Sequence, residues 1–223
     1  MLARVRLMQM TSQAFPIGGY SHSYGLESAI DSGLVRDEAG VRRWISDVLT
    51  FSLTSYEIPL MRDFGAAWAA NDGAVLAALN AEFLATRESA ELRAATVQMG
   101  FSLRQLLEVL PGLPDSLLAV LRGLHEPTLP CVWSGAASAF GIAAADSAVA
   151  YAWAWAENQA LVAMKSVPIG QAAAQRVLLH VGGLIAQLAA EPPPPADLRS
   201  NFAPGLAILC SNHETQYSRL FRS

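Results

Sequence analysis

The run Val132–Ala156, VWSGAASAFGIAAADSAVAYAWAWA, carries a single charge, Asp146, and its reading decides the fold. It is long enough to span a bilayer, for which about 20 apolar residues suffice. Its side chains point elsewhere. Ala and Gly dominate where a spanning helix would carry Leu and Ile, and Asp146 followed by Ser147 suits a helix N-cap better than the interior of lipid. The run therefore reads as two buried helices divided at Asp146, in a protein that is not embedded in a membrane.

The rest of the chain follows as helix after helix. Upstream, Asp37 is placed to cap a helix whose Val41, Trp44, Ile45, Val48, Leu49 and Leu53 recur on one face, and Pro59 interrupts or kinks the run on to Trp68. Asn71-Asp72-Gly73 makes a turn, a helix runs through Val75, Leu76, Leu79 and Phe83, and Thr86 is expected to cap a long helix from Arg87 to about Leu110. Pro111-Gly112-Leu113-Pro114 ends it, and Asp115 starts a short helix. Glu126 to Pro130 reads as a linker, the one place for a subdomain seam.

Downstream, Pro168 fits the first turn of a helix through Val177, Leu178, Val181, Leu184, Ile185 and Leu188 that is apolar enough to be central. His180, on that apolar face, reads as a hydrogen-bonded core histidine. Pro192 to Pro195 form a stiff connector, and a last helix starts near Pro204. No stretch alternates with a period of two. The expectation is an all-α, single-domain bundle of about ten helices covering residues 1–223.

With 223 residues, 52% of them hydrophobic and 15% charged, the chain can bury a large core. A net charge of −4 with scattered basic residues argues against nucleic acid or an anionic membrane as partner, because both need a concentrated basic face. Cys131 and Cys210 stand too far apart in sequence for a disulfide framework or a short-spaced metal pair, and the start has no signal-peptide core, so a cytoplasmic location is expected.

The densest unusual chemistry lies in Ala14–Glu27, AFPIGGYSHSYGLE. Pro16 fixes one φ angle, Gly18 and Gly19 permit φ values closed to other residues, and Tyr20 to Tyr24 present consecutive polar or aromatic groups. Locally this suits a helix N-terminus capped by Ser21 or Ser23, with Gly33 as its C-terminal glycine. It also suits a rigid turn that binds something. No phosphate-cradling glycine loop occurs and no His-x-x-x-His pair, so neither a nucleotide, a metal nor any cofactor is expected. Two other readings stay open at this point: a small hydrolase using Ser21 or Ser23 with His22, and a metal site assembled from Cys210, His213 and Glu214. Lys165 can complement a helix C-terminus and snorkel outward, or serve an interface. Tyr217, Arg219, Phe221 and Arg222 are of types enriched at binding hot spots.

Three segments together resemble the UreF family of urease accessory proteins: Phe15 to Glu27, Lys165-Ser166-Val167-Pro168-Ile169-Gly170-Gln171, and His213-Glu214 through Tyr217 to Ser223. One departure is Ala174 before Gln175, where many relatives carry Gly. The resemblance implies an all-α, non-enzymatic assembly factor for nickel urease. It implies a homodimer that joins UreD (UreH) and recruits the GTPase UreG for delivery to apo-urease, with a gating role over GTP hydrolysis or nickel transfer. It associates Tyr20, Lys165 and Arg219 with UreG recruitment. Pro16, Gly18, Gly19, His22, Gly25, Glu27, Pro168, Gln171, His213, Glu214 and Tyr217 are the matched motif positions that shape the site.

Overall fold

A computed structural model describes residues 1–223 and contains eleven α-helices and no strand. Helix α1 (Leu2–Thr11) leads into the Ala14–Glu27 stretch, and α2 (Leu26–Asp31) follows. Gly33 (φ 75°) ends α2 as expected, with the Leu34 amide reaching back to the Ala29 carbonyl at 2.9 Å. Helix α3 (Glu38–Val48) is capped by Asp37, which accepts from the Gly40 amide at 2.8 Å.

Pro59 does not break the rod that follows. The backbone widens into a π-helical segment, Leu49–Glu57, and resumes as α4 (Ile58–Ala69) with Pro59 in its first turn. A proline crowds the carbonyl four residues earlier, and a wider turn relieves that contact. The wider turn leaves the Leu49 carbonyl within reach of the Thr54 hydroxyl, at 2.9 Å.

Helix α5 (Gly73–Ala85) is capped by Asp72. Thr86 terminates α5 rather than starting the next helix. The cap of α6 (Ala90–Val109) is Ser89, whose hydroxyl accepts from the Leu92 amide. After α7 (Asp115–Gly123) the expected linker is a buried crossing instead of a seam. Thr128 is fully buried, its amide and hydroxyl both donate to Asn80 Oδ1, and a Cβ on Gly100 of α6 would lie 2.1 Å from the Pro127 carbonyl oxygen.

The deciding run is indeed two buried helices, α8 (Leu129–Ala139) and α9 (Ala144–Ser166), but Asp146 does not divide them. Gly141 (φ 66°) and Ile142 close α8 with amides to the Ser138 and Ala137 carbonyls, Ala143 occupies the N-cap position, and Asp146 sits in the first turn of α9, facing the positive end of its dipole. Pro168 likewise falls outside the next helix. Helix α10 (Gln171–Ala190) starts three residues later behind Gly170.

The chain's centre is α9 and not α10. Ala150 and Tyr151 of α9 belong to one buried cluster, while Ala152, Ala156, Val162 and Ala163 belong to a second, so this helix joins the two halves of the core. Its small side chains let α1, α4, α8 and α10 approach closely. Helix α10 buries Ala173, Ala174, Val177, Leu178, Val181 and Ile185 and leaves Leu179 (81%) and His180 exposed, so His180 is a surface residue and not a core one. By length and composition α10 is the one helix that could cross a membrane, yet one face of it lies on α9 and α3. Helix α11 (Pro204–His213) and the tail complete the fold.

The crossing at Gly100 makes a sharp prediction. Gly100→Ala should lower stability by about 3 kcal/mol, as backbone must move to admit a methyl group. Gly123→Ala, with open space around the new Cβ, should raise it by roughly 0.5 kcal/mol. Urea denaturation of both variants checks the contrast.

Candidate functional site

The Ala14–Glu27 stretch is neither a plain loop nor a capped helix start. Phe15 anchors it in the core, edge-on to Trp133 at 6.5 Å between ring centroids. Pro16 is exposed, Gly18 takes a left-handed φ of 78°, and a short 3-10 turn, Gly19–Ser21, carries Tyr20 outward with 62% of its surface exposed. Gly19 itself has an ordinary φ. Tyr24 (φ 53°) and Gly25 (φ 79°) then both adopt the left-handed region, which cannot continue a helix and moves the start of α2 to Leu26. A Cβ on Gly25 would lie 2.9 Å from Cys210 Sγ, so the close approach of α11 requires glycine here.

Neither serine caps α2. Ser21 Oγ donates to the Gly18 carbonyl at 2.8 Å, and Ser23 Oγ donates to the Ser223 carbonyl at 2.5 Å. The second bond belongs to a seam in which the tail runs back along the turn. The Arg222 amide donates to the Ser21 carbonyl at 2.8 Å, and the Ser23 and Tyr24 amides donate to the Ser223 carbonyl. Two amides of α9 hold the turn from the other side: Asn158 Nδ2 donates to the His22 carbonyl at 2.8 Å and Gln159 Nε2 to the Ser23 carbonyl at 3.1 Å. Sequence reasoning missed both. The signal was a pair of adjacent amides inside an Ala- and Trp-rich helix.

Glu27 is the joint. It is buried, its Oε1 accepts from the Leu220 amide at 2.6 Å, and its Oε2 accepts from the Phe221 amide at 3.0 Å and faces His213 Nε2 at 2.9 Å. His213 has no exposed surface, and its Nδ1 lies 2.6 Å from Glu91 Oε2. The other oxygen of Glu91 accepts from Arg219 Nη1 at 2.6 Å. Glu214 supports the same corner by accepting from the Ala90 amide at 2.7 Å, at the start of α6. Glu91, in the first turn of α6, is therefore a central member of the site.

Behind the turn lies a second buried ion pair. Arg87 Nη1 meets Glu57 Oε1 at 2.7 Å, Tyr151 donates to Glu57 Oε2 at 3.0 Å, and the Arg87 guanidinium stacks over Phe83. Burial, then the nearby Glu57 carboxylate, pushes the hydroxyls of Tyr24 and Tyr151 well above the ordinary tyrosine range.

The three residues that the resemblance ties to partner recruitment all lie beside contacts of this tail. Tyr20 adjoins Ser21, which holds Arg222; Lys165, exposed in the last turn of α9, places Nζ 5.5 Å from the centroid of the Phe221 ring; and Arg219 pairs with Glu91. Phe221 is itself buried, so the tail is seated rather than trailing. Pro168 is exposed on the turn between α9 and α10, Gln171 is exposed at the start of α10, and Tyr217 is fully exposed.

The arrangement does not support a serine hydrolase on this turn. His22 faces Ser223 Oγ at 2.9 Å rather than Ser21 or Ser23, and burial followed by the charge of Arg222 lowers its pKa to about 4. The metal-site set fares no better: both ring nitrogens of His213 are committed to carboxylates, Glu214 is engaged by α6, and burial pushes the Cys210 thiol up to about 12.

A family model described as UreF matches residues 35–182. The chain is 48% identical over 227 residues to the urease accessory protein UreF of Dechloromonas aromatica (strain RCB), covering 100% of this chain and 98% of the relative. It is 50% identical to UreF of Azoarcus sp. (strain BH72), covering 100% and 97%. The chain belongs to the UreF family of urease accessory proteins. A third UreF relative, from Methylobacillus flagellatus, is 43% identical with 98% of this chain covered. The UreF model takes in Lys165 and Gln171, whereas the Tyr20 turn and the Arg219 tail fall within the full-length alignments.

The depressed His22 sets a pH dependence. In the unfolded chain this ring titrates near 6.5 and in the fold near 4, so between those values the unfolded state binds more protons and stability rises with pH. Comparing urea midpoints of the wild type and His22→Asn from pH 6.5 down to 4, the wild type should lose stability more steeply as the pH falls.

Proposed function

We propose that this chain is a non-enzymatic scaffold in urease maturation that, with UreD/UreH, recruits the GTPase UreG and supports nickel insertion into apo-urease in the cytoplasm. The observation that carries the reading is the meeting of the Tyr20 turn, the Lys165 helix end and the Arg219 tail around one buried carboxylate–histidine network. A tyrosine, a lysine and an arginine at such a corner offer a partner an aromatic contact and two cations, with no nucleophile or base positioned for bond chemistry. Nickel is cargo of the assembly in this reading, and gating of GTP hydrolysis or of nickel transfer would act through the recruited GTPase.

Self-association is the second part of the proposal. Helix α1 leaves Leu2 (66%), Val5 (55%) and Met8 (71%) exposed at three-residue spacing, an apolar strip that a two-fold axis could set against its own copy. Analytical ultracentrifugation of the isolated chain reads that half directly.

For the recruitment half, Tyr20→Ala, Lys165→Ala and Arg219→Ala should each retain helical content and thermal midpoint, and each should lower co-purification with UreG and urease activation by about tenfold. Wild-type recruitment by all three variants would remove this surface from the mechanism.

A further inference from the structure

We propose that Glu91 and His213 are positioning residues for Arg219, fixing the direction in which its guanidinium meets an acidic group on a protein partner; this rests on the recruitment reading above. Arg219 lies in the exposed part of the tail, Tyr217 to Leu220, yet its Nη1 is held 2.6 Å from Glu91 Oε1 while 39% of its side chain stays exposed. A guanidinium has five N–H donors in a planar fork. Glu91 engages Nη1, which leaves the other donors to meet a partner.

Glu91 is fixed in turn. Its Oε2 faces His213 Nδ1 at 2.6 Å, and Glu27 faces the opposite ring nitrogen at 2.9 Å. The contacts run unbroken from Glu27 through His213 and Glu91 to Arg219 and end at the surface. An arginine held in this way loses little rotamer freedom when a carboxylate arrives, unlike one that must first be ordered.

Glu91 is not part of the exposed surface assigned to the partner, with 17% of its side chain accessible, so it acts through Arg219. The alternative is that Glu91 merely stabilises the tail, and a double-mutant cycle separates the two. In the full-length chain, labelling by phenylglyoxal followed by peptide mass spectrometry reports the freedom of Arg219, with exposed Arg222 as internal reference. Glu91→Gln should label Arg219 several-fold faster with Arg222 unchanged, and should weaken UreG binding in the UreD-containing complex about tenfold. In an Arg219→Ala background the same substitution should change binding less than about twofold. If Glu91→Gln does not fold, Glu91→Asp, which keeps the charge and shortens its reach, carries the same readouts.

Unchanged labelling of Arg219 would overturn the proposal, as would fully additive losses in the cycle, which mark a structural role. Tighter binding by Glu91→Gln would also overturn it, making Glu91 a competitor for the arginine. Faster labelling with normal UreG binding by Arg219→Ala would instead sink the recruitment reading and, with it, the partner half of the positioning role.

Discussion

Everything at the candidate surface depends on a buried imidazole between two carboxylates. His213, with no exposed surface, ties Glu27 of α2 to Glu91 of α6, and the oxygens of Glu27 also receive the amides of Leu220 and Phe221. Taking carboxylates out of water is costly, and removing one partner leaves the others buried and unpaired. The tail is thereby seated at a defined place on the bundle. Arg219 and the Phe221 ring beside Lys165 follow from that seating.

The scaffold beneath obeys a simpler constraint, the closeness of backbones. Alanines on both faces of α9 allow two hydrophobic clusters to share one helix, Gly100 admits the Pro127 carbonyl to the side of α6, and Gly25 admits Cys210 of α11. Close approach of rigid elements is what makes a surface assembled from distant segments definite. Asn158 and Gln159 then use the same helix to fix the carbonyls of the turn that presents Tyr20.

Much of the architecture was legible in the sequence because helices announce themselves through periodicity and caps. The Asp37 cap, the Gly33 terminus and the pair of helices in Val132–Ala156 are where their residues imply. The misplacements share a cause. Thr86, Asp146 and Ser21 or Ser23 are all good capping types, but tertiary bonds and left-handed residues nearby decided the boundaries, with Ser89, Ala143 and Gly25 in the cap positions. Helix α10 looked central because hydropathy counts Leu and Val, whereas centrality went to the helix with the smallest side chains. At the site, the turn and tail were legible as motifs, while Glu91, Asn158 and Gln159 were not, since nothing in linear spacing pairs residue 91 with residue 213 or residue 158 with residue 22.

The seated tail can be measured without any partner. Hydrogen–deuterium exchange of the full-length chain should find the amides of Leu220 and Phe221 strongly protected, and Glu27→Ala should release both while leaving protection in α9 unchanged. Exchange of these two amides at the rate of an unstructured peptide in the wild-type chain would contradict the view that the Glu27–His213–Glu91 network holds the tail in place.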